Sequence, residues 1–291
     1  MDDLFLKQQY REILVLGQGG FGTVYKVVSR YGNNVSAIKI IKYNDENRHR
    51  ALREFTILKK LSEGPCHNTI SKYIKTCENK KERKIYIEME YIKGETMRKY
   101  IKKYKFSEIS YVCLYFIKII NEILLCVHNE NVLHLDIKPE NIMVEPNCVI
   151  KLVDFGLSCI PFIQLQTIRR TGKAPKKCCI QGGGSRPMYA PETVLNEKNY
   201  KETDIWLLGA TIYSIMTDKH IWGNNLDILM DNNKFFNHVY ISGVPRLKTG
   251  NELLDKIVNK CLVKDCNSRI SSEKIQKLLK HFNIHDHVTL L

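Results

Sequence analysis

The pattern of apolar residues changes about one third of the way along the chain, and no other feature constrains the fold as strongly. Before Lys93, short runs rich in Val, Ile and Tyr are punctuated by Gly and Asn, which is typical of strands and turns. After Gly94, long segments carry an apolar face at helical spacing. Strands are predicted over residues 10–16, 22–29, 35–41 and 85–91, and helices over residues 110–128, 203–217 and 251–262. The chain is therefore predicted to have a strand-rich lobe, a hinge near Lys93 and Gly94, and a mostly helical lobe.

One helix is predicted inside the strand-rich part, over residues 46–61. Leu52, Phe55, Leu58 and Leu61 recur there at helical spacing. Glu54 lies beside this apolar face, which makes its carboxylate a candidate partner for a charged group in the same lobe.

The bulk composition indicates a globular chain with a basic surface. The length of 291 residues and the hydrophobic content of 44% support a substantial core. The formal charge of +14 raises the hypothesis of polyanion binding, but lysines recur along most of the chain, which favours a solvated surface. Nucleic acid is therefore not an expected partner. Two denser clusters are Lys99, Lys102, Lys103 and Lys105, and Arg169, Arg170, Lys173, Lys176 and Lys177.

Several features predict an intracellular protein, in the cytoplasm or the nucleus. No apolar run reaches the roughly 18 residues that cross a bilayer, and the first ten residues lack a signal-peptide core. The ten cysteines are scattered, without paired C-x-x-C spacing, so we expect buried free thiols in a reducing compartment. Adjacent Cys178 and Cys179 lack the neighbouring ligands that a zinc site needs.

A glycine-rich turn joins the first two predicted strands. Backbone amides can close on phosphate oxygens where side chains do not obstruct them, which is a use for Gly17, Gly19 and Gly22. A hairpin without a ligand would show similar glycines. A dinucleotide site needs a helix next, whereas residues 23–28 predict a strand. The candidate binding residues are Leu16, Gly17, Gln18, Gly19, Gly20, Phe21, Gly22, Thr23 and Val24.

A lysine follows in an apolar setting, in the sequence Ala37-Ile38-Lys39. A lysine with such neighbours would point into a cleft, where it suits α- and β-phosphates if a carboxylate holds it. Glu54 is the candidate carboxylate, and the alternative is a surface glutamate.

Acidic and amide side chains form a third group, within residues 134–141 and 154–156. Phosphoryl transfer needs a carboxylate to orient the attacking hydroxyl and oxygen ligands for magnesium. Asp136, Asn141 and Asp154 supply these groups.

Together these motifs make the chain similar to the eukaryotic protein kinase family, from about Tyr10 to His281. The resemblance is specific because many motifs occur in one order. They are the glycine-rich turn, Ala37-Ile38-Lys39, Arg53-Glu54, Met89-Glu90-Tyr91, the Asp136 loop, Asp154-Phe155-Gly156, Ala190-Pro191-Glu192, Asp204-Ile205-Trp206 and Arg269.

The resemblance implies an α+β, two-lobed fold and a kinase domain over residues 10–286. The N-lobe, about 10–93, would hold an antiparallel sheet with one helix, and the C-lobe, about 94–286, would be mostly helical. ATP and Mg²⁺ are the implied cofactors. Lys39, paired with Glu54, would hold the ATP phosphates, and Lys138 would touch the γ-phosphate.

The remaining implied roles concern the base, the metal and the adenine. Asp136 would be the catalytic base, and Asn141 and Asp154 would bind magnesium. The backbones of Glu90 and Tyr91 would meet the adenine. Ala37 and Met89 complete the implied nucleotide site. His134 would pack against Phe155, Glu192 and Arg269 would form a buried ion pair, and Asp204 would anchor the catalytic loop.

The implied activity is phosphorylation of Ser and Thr hydroxyls on proteins. In the family, lysine two residues after the catalytic aspartate accompanies this specificity, and Lys138 has that position. Ser185 would bridge Asp136 and Lys138. The alternative is a pseudokinase that binds nucleotide or partners without catalysis, but Lys39, Asp136, Asn141 and Asp154 are all present.

Two features of the segment between Asp154 and Glu192 bear on regulation and substrates. Its basic residues, 169–177, would favour acidic residues around the target hydroxyl or bind another polyanion, and a solvated loop is an equal alternative. Leu135 stands where the family usually carries an arginine that pairs with a phosphorylated segment. We therefore expect activity without phosphorylation of this segment. Oligomeric state is not predicted.

Overall fold

The chain divides into two compact units, residues 1–93 and 94–291. The computed structural model describes residues 3–20, 22–163, 177–180, 186–196 and 198–289. The elements of the first unit are α1 (Leu4–Gln9), β1 (Tyr10–Gly19), β2 (Gly22–Ser29), β3 (Val35–Lys42), α2 (Arg48–Glu63), β4 (Tyr73–Asn79) and β5 (Lys84–Glu90). Their strands form one antiparallel sheet in the order β1-β2-β3-β5-β4.

The strands of the first unit agree with the sequence prediction except at one edge. β1, β2, β3 and β5 lie where strands are predicted, but β4 is not predicted. β4 is an edge strand whose side chains are half-buried or exposed, and its sequence Tyr-Ile-Lys-Thr-Cys-Glu-Asn lacks a clear apolar alternation. A strand with one partner and no buried face leaves a weak sequence signal.

Helix α2 buries a face that overlaps only in part with the one that the sequence predicts, since Leu58 and Leu61 are shared. Its buried residues are Ala51, Glu54, Ile57, Leu58 and Leu61. The predicted face included Leu52 and Phe55, which are only half-buried. The buried stripe therefore runs through Glu54, which places a carboxylate inside the unit.

The second unit is mostly helical and carries two small three-stranded sheets. Its strands are β6 (Glu95–Thr96), β7 (Ile142–Val144), β8 (Ile150–Leu152), β9 (Phe162–Ile163), β10 (Lys177–Ile180) and β11 (Lys198–Asn199). Its α-helices are α3 (Met97–Ile101), α4 (Phe106–Asn129), α5 (Pro191–Asn196), α6 (Lys201–Thr217), α7 (Leu226–Met230), α8 (Asn232–Ile241), α9 (Glu252–Cys261) and α10 (Ser272–Leu278). Short 3₁₀ helices span Pro139–Asn141, Arg186–Met188 and Ile284–Asp286. The sheets have the orders β6-β7-β8 and β9-β10-β11.

Helix α4 is the central helix of the second unit. Its stretch Ser107–Asn129 is long and apolar enough to cross a membrane by length and composition, and half of it is buried. Phe116 and Leu124 are fully buried, and α4 packs against α6, α9 and α10. These contacts explain the apolar composition as that of a core helix.

The expected fold class is confirmed, with an antiparallel sheet in the first unit and mainly helices in the second. Besides β4, the short helix α1 was not predicted; it begins at Leu4 and is capped by Asp3. The Asp3 side chain accepts a hydrogen bond from the Leu6 backbone amide at 3.3 Å, and Leu6 is buried against the sheet.

Candidate active site

The glycine-rich turn connects β1 to β2, with Gly17 opposite Val24 and Gly19 opposite Gly22. A Cβ atom added at Gly17, Gly19 or Gly20 would meet nothing within 4 Å, so the backbone there borders open space. Gly22 is required for another reason, since its φ is +125° and a Cβ would lie 2.3 Å from the Ile40 carbonyl oxygen. Two of the three glycines singled out in the sequence therefore leave room for a ligand, and the third lets β2 approach β3.

Lys39 and Glu54 form a buried ion pair inside the first unit. Lys39 lies on β3 and Glu54 on α2, and Lys39 Nζ donates to Glu54 Oε1 at 2.7 Å. Each residue is only 4% exposed. A lysine held in this way carries a fixed positive charge in an apolar setting.

Apolar side chains accompany this lysine on the neighbouring strands. Ala37 is buried and pairs with Met89 across β3 and β5. Val24 on β2 is half-buried, and Leu16 on β1 is 46% exposed. These residues offer apolar surface from four strands of one sheet.

The backbone of Glu90 is already engaged within the first unit. Its amide donates to the Lys72 carbonyl at 2.8 Å, and its carbonyl accepts from Ser71 Oγ at 3.1 Å. The expectation that Glu90 offers its backbone to an adenine therefore narrows to the carbonyl, which has two lone pairs. The Tyr91 ring lies beneath Lys26, whose Nζ is 4.9 Å from the ring centroid.

Asp136, Lys138 and Asn141 converge in the second unit, in the loop between α4 and β7. Lys138 Nζ donates to Asp136 Oδ2 at 2.7 Å. Asn141 Nδ2 donates to the same Oδ2 and to the Asp136 carbonyl, each at 2.8 Å. Asp136 is 3% exposed, so these two donors fix the direction of a nearly buried carboxylate.

Asn141 and Asp154 fit a magnesium ion by the chemistry of their donors. Because Asn141 uses its amide nitrogen on Asp136, its amide oxygen points away as an acceptor. Asp154 follows β8 in the left-handed region, with φ +63°, and its Oδ1 accepts the Gly156 amide at 3.2 Å. Mg²⁺ prefers oxygen ligands and is usually completed by water and phosphate. Within the described ranges, no cluster of three His, Cys, Asp or Glu residues could hold a metal by itself.

The loop that carries Asp136 is supported by Asp204 on α6. Its carboxylate accepts the His134 amide at 2.9 Å, the Leu135 amide at 2.7 Å and His128 Nε2 at 2.8 Å. Burial would raise the pKa of Asp204, but the hydrogen bond from His128, the nearby histidines and the Leu135 amide hold that pKa below its ordinary value. Asp204 is thus a charged anchor for the backbone just before Asp136.

His134 packs under the loop as a neutral ring. It is fully buried, and its ring centroid lies 4.9 Å from that of Phe155, edge to face. Burial is the main reason that the pKa of His134 is lowered. Its Nδ1 receives the Asp136 amide at 3.2 Å, which matches the structural role expected for this histidine.

The segment after residue 185 is fixed by an ion pair and two tryptophans. Arg269 donates to both carboxylate oxygens of Glu192, at 2.7 and 2.6 Å, and its side chain is fully buried. The indole of Trp206 donates to the Met188 carbonyl at 3.0 Å. The indole of Trp222 donates to the Tyr189 carbonyl at 2.7 Å, a contact that no sequence signal indicated.

The expectation of free thiols is wrong for part of the cysteines. A disulfide joins Cys159 to Cys179, whose Cα atoms are 6.5 Å apart, and Cys66 and Cys126 are also in disulfide linkage. Pairs that are distant in sequence become neighbours only in the fold, which spacing rules do not detect. Among the described residues, free thiols are found at Cys77, Cys113 and Cys261.

Some residues singled out in the sequence lie outside the described residues. Phe21 of the glycine-rich turn, Ser185 and residues 169–176 of the basic segment belong to this group. Lys177 lies on β10, but its side chain is outside the described set as well.

Comparison with known proteins gives the same family as the residues. The family described as Protein kinase domain matches residues 10–282. A protein of Dictyostelium discoideum, described as a probable serine/threonine-protein kinase, is 32% identical over 278 residues, covering 91% of this chain and 36% of that protein. Cyclin-dependent kinase-like 2 of Rattus norvegicus is 28% identical over 226 residues, 76% of this chain and 41% of that protein.

A third relative is covered over most of its length. Mitogen-activated protein kinase kinase 2 of Arabidopsis thaliana is 24% identical over 281 residues, which is 95% of this chain and 73% of that protein. The chain spans only about two fifths of the length of the Dictyostelium and rat relatives. The match over residues 10–282, together with the ordered motifs, shows that the chain belongs to the protein kinase family.

Proposed function

We propose that this chain is an active kinase that transfers the γ-phosphate of MgATP to serine or threonine hydroxyls of proteins. Its kinase domain would comprise residues 10–286, with lobes of about 10–93 and 94–286. The observation that carries the proposal is the convergence of Lys138 and Asn141 on one Asp136 carboxylate oxygen, at 2.7 and 2.8 Å. A pseudokinase would have no need to fix a nearly buried carboxylate in this way.

The first unit supplies groups that suit a nucleotide. Lys39 would hold the α- and β-phosphates with its buried charge, which Glu54 keeps in place at 2.7 Å. The open backbone at Gly17 and Gly19 would let amides approach phosphate oxygens. Apolar side chains and the hinge backbone would complete the site, namely Leu16, Val24, Ala37, Met89, the Glu90 carbonyl and Tyr91.

The second unit supplies the groups for transfer. Asp136 would accept the proton of the attacking hydroxyl, and the donors on its Oδ2 leave Oδ1 to orient that hydroxyl. Lys138 would place a compact positive charge against the γ-phosphate. Asn141 and Asp154 would hold Mg²⁺, which supplies charge neutralisation at the phosphates when it is bound.

Specificity and partners are part of the proposal. Lys138, two residues after Asp136, supports serine or threonine as the acceptor. Two relatives, described as a probable serine/threonine-protein kinase and as mitogen-activated protein kinase kinase 2, agree with protein substrates. Basic residues 169–177 would favour an acidic context, and the location would be intracellular.

The test is a peptide-array phosphorylation assay with MgATP and Ser, Thr or Tyr acceptors. Wild type should phosphorylate Ser and Thr peptides. Asp136→Asn should lose about 10²- to 10⁴-fold in kcat while ATP binding by calorimetry is retained. The exposed Asp227→Asn is the matched control and should behave like wild type. ATP binding without turnover by wild type would establish the pseudokinase alternative, and transfer to Tyr peptides alone would refute the acceptor class.

A further inference from the structure

The Cys159–Cys179 disulfide lies directly beside the catalytic loop of the second unit. Cys159 follows Asp154-Phe155-Gly156 by three residues, and Cys179 lies on β10. The two residues are 4% and 2% exposed and form one apolar cluster with Leu133 and Leu135. The disulfide therefore links β10 to the segment around Cys159, and that segment contacts the loop.

Backbone hydrogen bonds carry this link to the loop itself. Cys159 and Leu133 exchange both of their backbone bonds, at 2.9 and 3.0 Å. The adjacent Ser158 Oγ donates to the His134 carbonyl at 3.1 Å. Residues 133 and 134 are thus held from the side of the disulfide, and Asp204 holds the backbone amides of His134 and Leu135, just before Asp136.

Leu135 closes the cluster without any charge. Its side chain is 1% exposed, and its backbone has φ +65°, a region that a leucine occupies only when its surroundings impose it. A leucine in this position cannot pair with a phosphate. The Leu135 side chain therefore contributes only apolar contacts here, while its backbone amide is held by the Asp204 carboxylate.

We propose that Cys159 and Cys179 are positioning residues of the kinase, whose disulfide clamps β10 to the catalytic loop and makes turnover depend on the oxidation state of this cysteine pair. The inference rests on the proposed kinase function and adds a regulator to it. Leu133 and Leu135 transmit the clamp to Asp136.

The redox step is a thiol–disulfide exchange with a small disulfide such as oxidised glutathione. One cysteine thiolate attacks the glutathione disulfide and releases one glutathione thiolate. The second cysteine attacks the mixed disulfide and releases the other. Two protein thiols and one glutathione disulfide thus give one protein disulfide and two glutathiones, and a dithiol reductant reverses the exchange. Because both sulfurs are buried, exchange requires local opening of β10.

Loss of the clamp should affect the transfer step more than nucleotide binding. A displacement of about 1 Å at a catalytic group can cost about 100-fold in rate. We expect kcat to fall about 10- to 100-fold on reduction. KM for ATP should stay within about twofold, because the lysine and glycines proposed to hold the phosphates lie in the other unit and are hydrogen bonded there.

The experiment uses the full chain, oxidised with glutathione disulfide or reduced with dithiothreitol, and assayed with MgATP and a Ser or Thr peptide. Mass spectrometry after alkylation measures the fraction of Cys159 linked to Cys179. Activity should follow that fraction and return on reoxidation. Cys159→Ser and Cys179→Ser should match the reduced wild type and ignore the reductant, whereas exposed Cys77→Ser should behave like wild type. Melting temperatures identify any serine variant that fails to fold. For such a variant, the loss of wild-type activity on reduction and its return on reoxidation test the proposal instead.

Two results would overturn this inference and leave the proposed kinase activity intact. One is turnover that is unchanged when the Cys159–Cys179 bond is reduced. The other is a chain in which glutathione disulfide produces no such bond, or links Cys159 to Cys178 instead. Absence of turnover in both redox states is a different failure, since it refutes the proposed kinase activity itself.

Discussion

Replacing Lys39 by methionine should destabilise the first unit far more than replacing both members of its ion pair. Lys39 Nζ and Glu54 Oε1 are 2.7 Å apart, and both side chains are 5% exposed. Removing the lysine takes away the positive charge that balances a buried carboxylate on α2, a helix that also buries Ala51, Ile57 and Leu58. Breaking a buried pair in this way costs about 3–5 kcal/mol, whereas replacing both partners by apolar residues of similar volume is close to neutral.

Urea unfolding separates these outcomes. Tryptophan fluorescence reports the second unit, because Trp206 and Trp222 are the two tryptophans of the chain. Far-UV circular dichroism reports both units, so an unfolding transition that it shows and fluorescence does not belongs to the first unit. Lys39→Met should lower the free energy of unfolding seen by circular dichroism by about 3–5 kcal/mol, and Lys39→Met/Glu54→Met should return within about 1 kcal/mol of wild type. Both variants should lack kinase activity.

Lys42→Met is the matched control, since Lys42 is exposed on the same strand. It should change stability by less than about 0.5 kcal/mol and leave activity intact. Equal stability of the single and double variants would refute the reasoning, because the two side chains would then not be coupled by burial.

Three further predictions concern other positions. Gly22→Ala should lower the free energy of unfolding by about 2 kcal/mol or more, because φ is +125° and the new Cβ meets a carbonyl of β3; urea titration checks this. Gly19→Ala has open space around its new Cβ and should raise KM for ATP without unfolding the sheet, which enzyme kinetics checks. Arg269→Met should cost about 3–5 kcal/mol by tryptophan fluorescence, and adding Glu192→Met should recover most of it; no recovery would contradict the buried pair. Because burial lowers the pKa of His134, the unfolded chain takes up a proton there that the folded chain does not, and stability should fall from about pH 6.5 downward by up to about 1.4 kcal/mol per pH unit. His134→Phe should show a shallower fall over the same range, and equal slopes would exclude this histidine as the cause.

Local sequence patterns predicted which residues belong to the candidate site better than they predicted why each residue is needed there. A Val- and Ile-rich run indicated β3 and helical spacing indicated α2, and together they gave the pairing of Lys39 with Glu54. Gly22 was assigned to phosphate approach, yet its closest constraint is the Ile40 carbonyl. A close approach between two strands depends on their separation in space, which composition does not encode.

Features that depend on distant parts of the chain were predicted less well. The disulfide of Cys159 and Cys179 spans 20 residues, and spacing alone gives no pairing. Trp222 reaches Tyr189 across 33 residues, and no local motif surrounds it. Edge strand β4 was missed because its stability comes from pairing with β5 and not from a buried face.

The anchoring of the catalytic loop by Asp204 has a consequence for how competence is acquired during folding. The two backbone amides that donate to its carboxylate, those of His134 and Leu135, lie 70 and 69 residues earlier in the chain. Closing so long a loop costs conformational entropy, and contacts between residues close in sequence do not offset that cost. A nascent chain that has emerged only as far as Tyr200 has the aspartate of the loop but not the side chain that shapes it. The proposed kinase activity should therefore appear only after helix α6 has docked, later than most of the secondary structure that surrounds it.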